Sequence, residues 1–208
     1  MEQAWVRSAK LEGSKVLLRP MGPLDIQDCF DRLHRRSEIT DWLCWDGPEA
    51  IEELAPWYLS WPLGDPNRGW DYHFAVIDLA DGEFAGVISL RFYDHASQGD
   101  IGYWIDVPKW GRGLASESVS LLTWLAFEHA GALLVYAEWF EGNLGSKRVL
   151  ERAGFLSDPA GEHRFQKGER NVLVHFHSLA RSAWEEAGKP GAPDRVQVEA
   201  GERANPHK

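Results

Sequence analysis

The 208 residues carry 22 Lys and Arg against 32 Asp and Glu, a formal charge of -10 at pH 7, and 44% of them are hydrophobic. That length suits one buried domain of about 100 to 200 residues; the hydrophobic share excludes wholesale disorder, and the acidic field repels nucleic acid while attracting cations such as amines. With no apolar run near 18 residues, no basic leader and only Cys29 and Cys44, the chain reads as reduced, cytoplasmic and without a membrane span.

Residues 15–20 read as a first strand, and Pro23 opens a helix whose apolar positions Ile26, Phe30 and Leu33 recur at helical spacing. An aromatic and acidic segment over residues 40–63 follows, with Trp42, Trp45, Trp57, Tyr58 and Trp61 and a helix starting near Pro48. Its rings suit either core packing or the wall of a cleft, and Asp46, Glu49, Glu52 and Glu53 suit a solvated helix face that could also draw in a cation.

Residues 72–77, 84–92 and 100–107 form three strand-like runs joined by Asp81-Gly82 and by a polar link over residues 94–99, the pattern of an antiparallel meander. A helix over residues 114–130 closed by Gly131, a strand over 133–140, a helix over 143–153 closed by Gly154 and a strand over 172–179 complete the order. Strand, helix, strand, helix places a parallel crossover in the middle of a mixed α/β sheet. The domain is expected over residues 1–181, with 182–208 a flexible tail that is rich in Gly, Pro and charge from Gly188 onward.

The chemistry concentrates where the third strand of the meander runs into Trp110-Gly111-Arg112-Gly113-Leu114-Ala115. A glycine loop that feeds a helix N-terminus presents unpaired N–H groups and a partial positive charge, which can hold a pyrophosphate without a lysine. Taken alone, Gly-Arg-Gly is also an ordinary turn. Ser116 occupies the third glycine position of a dinucleotide fingerprint, and residues 142–147 lack the spacing of a Walker loop, which argues against hydride transfer and nucleotide hydrolysis. Pro108 after the strand removes a ladder donor, so the strands over 100–107 and 133–140 are expected to splay and expose backbone groups to an extended, amide-containing ligand.

In these motifs the chain resembles the GNAT N-acetyltransferases, and within them the RimJ/RimL-like branch. Trp110, Gly113 and Ala115 stand where the family has Gln or Arg, Gly, and Gly or Ala; Asn143, Ser146, Gly154 and Phe155 follow the branch's second motif in order and spacing. Trp110 departs from the usual first residue, whose backbone can still serve. The resemblance implies a mostly antiparallel central sheet of about six to seven strands with helices on both faces. It implies acetyl-CoA, or another short acyl-CoA, bound by Ile105, Val107, Trp110, Gly111, Arg112, Gly113, Leu114, Ala115 and Asn143. It leaves a homodimer open.

Acetyl transfer to an amine needs the amine neutral, and a lysine-like amine has a pKa of about 10.4, so a group must take its proton. By resemblance Asp100 is the base, acting directly or through water; Glu138 and Glu141 are alternatives, or could attract a cationic substrate. Ser146 would donate to the leaving thiolate, and a backbone N–H near Ile105 would serve the oxyanion. Both Asn143 and Ser146 equally suit helix caps. Trp42, Trp45 and Glu138 are the acceptor-binding candidates, and the acceptor is a protein N-terminus, a polyamine or another cationic amine. A catalytically silent acyl-CoA-binding module is the alternative function. His175 and His177 alternate onto one strand face without a third metal ligand of matching spacing, and Cys44 lacks a nucleophile's context.

Overall fold

The structure is a computed structural model that describes residues 5–59, 70–93 and 97–201. Trp61, residues 94–96 of the polar link and the last seven residues lie outside the described residues, as does the side chain of Trp57. The described chain builds a ten-stranded sheet. Its strands are β1 (Trp5–Glu12), β2 (Val16–Pro20), β3 (Trp70–Asp78), β4 (Phe84–Phe92), β5 (Gln98–Ile105), β6 (Leu134–Phe140), β7 (Leu156–Ser157), β8 (His163–Lys167), β9 (Arg170–Ala180) and β10 (Arg195–Gly201). The order is β10-β1-β2-β3-β4-β5-β6-β9-β7, with β8 also on β9. Every described pairing is antiparallel except β5 with β6, which a right-handed crossover through a helix would join.

Helices cover both faces, as the resemblance implied. On one face α4 (Leu114–Glu128) and α5 (Leu144–Arg152) pack on a core that includes Leu18, Phe74, Ile88, Leu122 and Phe155. Val119, Leu122 and Ala126 of α4 are fully buried, because spacings of three and four keep them on one side of a 3.6-residue helix. The other face holds α1 (Asp25–Cys29), continued as a π-turn over Phe30–His34, then α2 (Ser37–Thr40) and α3 (Leu54–Tyr58), around a second core that includes Cys29, Leu33, Leu54 and Val87.

Residues 182–201 depart from the flexible tail expected of them. After β9 the chain forms α6 (Arg181–Glu186), whose Trp184 is 1% exposed, lies 5.1 Å ring to ring from Phe127 and donates its indole N–H to the carbonyl of Pro190. Residues 195–201 then pair with β1 from Glu12↔Arg195 to Trp5↔Gly201. Only Val196 and Val198 alternate there, too short a period to stand out among Gly, Pro and charge; the strand forms because β1 offers it a ladder of unpaired N–H and C=O groups. β1, β7 and β8 were likewise absent from the sequence reading. Trp184→Ala is expected to cost about 3 to 5 kcal/mol of unfolding free energy, measured by urea titration; a loss under about 1 kcal/mol would mean that the segment is not docked.

Candidate active site

β5 and β6 pair at only three positions, Gln98↔Leu134, Gly99↔Val135 and Asp100↔Tyr136, although both strands run on for several residues. The expected splay is present, but it opens right after Asp100, well before Pro108, which sits in a 3-10 turn over Val107–Lys109. The proline is therefore not what ends the pairing. Asp106 donates its N–H to the carbonyl of Ala85 at 2.8 Å, which sets the phase of the β4–β5 ladder. Asp100, Gly102 and Trp104 turn their backbone groups toward β4, whereas Ile101, Tyr103 and Ile105 turn theirs toward the gap.

A cleft of about 860 Å³ runs through this gap and opens on both faces of the sheet. Strand alternation sorts its lining. Ile101, Tyr103, Ile105 and Trp139 face α4 and α5, while Asp71, His73, Ser89, Arg91, Asp100, Trp104 and Glu138 face α1 to α3. One face is thus mainly apolar and the other charged.

On the apolar face, Gly111 (φ +76°) and Gly113 (φ +83°) make the left-handed turns that lead into α4, conformations in which a side chain is strained. Gly113 is the N-cap and no side chain caps it, so the N–H groups of the first turn point into the cleft, where Gly111, Gly113, Leu114, Ala115 and Ser116 form part of the wall. The exposed indole of Trp110 donates to the carbonyl of Ile105 at 2.6 Å and so pins the glycine loop to the end of β5. Its side chain therefore has a structural task where the family's usual residue is lacking.

Two of the expected cofactor residues, Arg112 and Val107, are not among the residues that line the cleft. Arg112 Nη1 lies 2.7 Å from the buried carboxylate of Asp78, and Lys109 Nζ, at the cleft wall, is 2.8 Å from Asp81, so the two cations beside the loop are compensated by carboxylates. Val107 packs into the second core. The cations that the sequence reading missed are Lys15, whose Nζ is 3.4 Å from the carbonyl of Arg112, and Arg148 and Arg152, spaced one turn apart on α5 along the cleft.

Asn143 accepts the N–H of Ser146 at 3.1 Å and is the N-cap of α5. It also lines the cleft, so capping and a ligand contact are both open to it. Ser146 Oγ lies 2.8 Å from the hydroxyl of Tyr103, across the mouth of the gap. Burial pushes the Tyr103 phenol well above its ordinary range, so this pair stays protonated and can donate. Tyr103 had drawn no role from the sequence. A tyrosine at a strand position that faces the cofactor side was the available signal.

On the charged face, Asp100 lies 2.9 Å from Arg91 Nη2 and 3.5 Å from the hydroxyl of Tyr93. Burial raises its pKa, Arg91 opposes that rise and Asp71 adds to it. Glu138 is exposed at the cleft rim, and its pKa is raised by partial desolvation first and by Asp100, against His163 3.9 Å away. Trp42 and Trp45 line the cleft, together with Trp104 and Tyr58; Trp45 and Trp104 flank the buried ring of His34 at 4.6 and 5.0 Å. The aromatic segment is both core and wall. Its regular structure starts at Ile51 as a 3-10 turn, later than Pro48. Glu141 is exposed and outside the lining. His175 lies 2.7 Å from Glu162 and stacks on Trp139, which donates to His177, so both histidines serve the packing of β6 on β9.

A family model described as the acetyltransferase (GNAT) domain matches residues 15–156. The chain belongs to the GNAT acetyltransferase family. The GNAT match spans every residue of the cleft named above. Among curated GNAT relatives, the chain is 37% identical over 107 residues to the probable N-acetyltransferase YjcK of Bacillus subtilis, a stretch covering 50% of this chain and 55% of YjcK. It is 34% identical over 109 residues to YdaF of the same organism, provisionally named a ribosomal N-acetyltransferase, covering 51% and 59%. The chain thus spans little more than half the length of these curated relatives. In fold it superposes on the spermidine N-acetyltransferase of Vibrio cholerae, solved with CoA and spermine, at a TM-score of 0.71 and 18% identity over 83% of this chain and 99% of that one. A GNAT acetyltransferase from Brucella melitensis superposes at 0.64 with 27% identity, covering 85% and 80%.

Proposed function

We propose that this protein transfers an acetyl group from acetyl-CoA to a primary amine by direct attack. The observation that carries this reading is the single cleft through the β5–β6 gap, which joins the uncapped N-terminus of α4 and the Tyr103–Ser146 hydroxyl pair on one face to the carboxylates of Asp100 and Glu138 on the other. The chain's groups suit acetyl-CoA: N–H groups at an uncapped helix start for the pyrophosphate, with Lys15, Arg148 and Arg152 nearby, and the free edge of Ile101 and Tyr103 for the amide arm.

Acetyl-CoA supplies the activated thioester. Asp100 and Glu138 hold the cationic acceptor, and Asp100 takes its proton directly or through water. The N–H of Ile105, which faces the gap, serves the developing oxyanion, and the Tyr103–Ser146 pair gives the departing thiolate a proton. Trp42, Trp45 and Trp104 wall the acceptor side, where a cation gains from their π-faces. The acceptor class supported by this acidic, aromatic wall is a cationic amine, such as a peptide N-terminus or a polyamine. Both cysteines are free thiols, in keeping with a reducing, cytoplasmic setting. Among the described residues no helix is long and apolar enough to cross a membrane.

The test is thiol release from acetyl-CoA with peptides bearing free N-termini, polyamines and aminoglycosides as acceptors, with calorimetric acetyl-CoA binding on the same sample. Acceptor-dependent thiol release is expected. Binding without release by any amine would favour the silent acyl-CoA-binding module, and absence of binding would overturn both readings.

A further inference from the structure

Much of the acceptor wall stands on a segment without regular structure. Between α2 and the 3-10 turn at Ile51, residues 41–50 form neither helix nor strand, yet Trp42, Leu43, Cys44 and Trp45 line the cleft. Trp42 and Leu43 donate their N–H groups to the carbonyls of Ile39 and Thr40, which carries the segment on from α2. Carbonyls past a helix end need donors from elsewhere, and a segment that lacks them opens easily.

The donors come from the other side of the β5–β6 gap. β8 and β9 form a hairpin closed by Gly168 and Glu169, and Gly168 takes the left-handed φ (+56°) that a tight two-residue turn can need at its first central position. The flanking residues, Lys167 and Arg170, stand opposite each other in the register. Lys167 Nζ donates to the carbonyl of Trp45 at 2.8 Å and pairs with the carboxylate of Asp46, and Arg170 Nη2 donates to the carbonyl of Asp41 at 3.1 Å. One turn thus holds both ends of an arch from Asp41 to Trp45, 129 and 122 positions away in the chain. Within the arch Trp42 reaches the turn before α5, where a Cβ added to Gly142 would stand 3.6 Å from its ring, and Trp45 leans on His34. Lys167 and Arg170 are not among the residues that line the cleft, so they act on a ligand only through the arch.

Lys167 is 8% exposed, whereas the side chain of its partner Asp46 is 87% exposed. An exposed carboxylate returns only part of the desolvation that a buried ammonium costs, so the pair adds little net stability. What it fixes is position, because the Trp45 carbonyl is tied to the ammonium.

We propose that the Lys167–Arg170 turn latches the tryptophan wall and thereby sets how tightly the acceptor binds, with Lys167 as a positioning residue. This rests on the acetyltransferase reading above. A cationic acceptor held by π-faces binds well only when the rings are already in place, since ordering a loose loop on binding subtracts from affinity. The cofactor side is held by other contacts, among them the Trp110 indole on Ile105 and the Asn143 cap of α5.

The experiment measures acceptor KM and kcat by thiol release for the wild type, Lys167→Met, Arg170→Ala and Arg164→Ala, with melting temperature, calorimetric acetyl-CoA binding and amide hydrogen exchange of residues 41–46. Lys167→Met keeps an unbranched apolar stem and leaves no buried charge behind, since Asp46 faces water. It is expected to raise acceptor KM about 10-fold, the scale of one hydrogen bond from a charged donor, with kcat within about 2-fold, the pattern of lost uniform binding. Acetyl-CoA affinity and melting temperature should stay near wild type, while the amides of Trp42 and Leu43 exchange about 10-fold faster or more. Arg164→Ala, on the same hairpin but bonded to Asn171 within it, should leave KM unchanged. An unchanged KM in Lys167→Met, or a parallel loss of kcat and acetyl-CoA affinity, overturns the latch. Should Lys167→Met not fold, the exposed Arg170→Ala decides: KM raised about 3-fold with the same split supports the latch, and an unchanged KM overturns it. No thiol release by the wild type overturns the transferase reading and the latch's acceptor role together, whereas turnover whose KM ignores Lys167 overturns the latch alone.

Discussion

Gly113→Asp is expected to weaken acetyl-CoA binding by at least about 100-fold, near 3 kcal/mol, measured by calorimetry. Gly113 is the N-cap of α4, and the N–H groups that it precedes are the proposed anion site. An aspartate there sets a negative charge against the phosphates, and its carboxylate competes for those same N–H groups. Gly113→Ala is the control, because φ is +83° at this position and any side chain costs about 1 kcal/mol of backbone strain. A Cβ would stand 2.9 Å from Lys15 Nζ, the far end of a flexible side chain that can move aside. The alanine variant should therefore lose stability but little affinity. Equal affinity in the aspartate variant and the wild type would remove this loop from the acyl-CoA site.

Asp100→Asn is expected to lower kcat/KM about 100-fold near pH 7 and much less near pH 10, followed by thiol release with a peptide or polyamine acceptor. Burial, the largest cause, raises the pKa of Asp100, Asp71 raises it further, and Arg91 opposes them. The sign of the pH dependence follows. A base works ionised, so wild-type activity should fall as the pH drops through this raised value, and that acid limb should vanish in the variant. Near pH 10 the acceptor sheds its proton to solvent and the base matters less. Acetyl-CoA affinity should stay constant, because Asp100 lies on the face of the sheet away from α4. A uniform loss across pH would assign Asp100 to holding Arg91 in place.

What could be read before folding is what local chemistry encodes. The glycine loop, the α4 stripe of Val119, Leu122 and Ala126, the cap at Asn143 and the strand-helix-strand crossover all depend on residues within a few turns of one another. They sufficed for the family and for the glycine loop that opens α4. Arg112 and Lys109 show where such reading stops: their positive charge is legible, but the carboxylates of Asp78 and Asp81 that neutralise it come from a distant hairpin.

The same holds for the remaining surprises. The Tyr103–Ser146 pair joins residues 43 positions apart, and the carboxylates of Asp71 and Asp100 come beside Arg91 only in the register of three strands. β10 pairs with β1 across almost the whole chain, from a segment whose composition reads as a tail. The sequence by itself determined the family, the central meander, the α4 and α5 units and the glycine loop that opens α4, since these rest on short-range periodicity and helix-terminus chemistry. Tertiary structure decided which charges are free, which hydroxyls meet and where the sheet ends, because strand register and long-range burial bring together groups whose pairing no local pattern records.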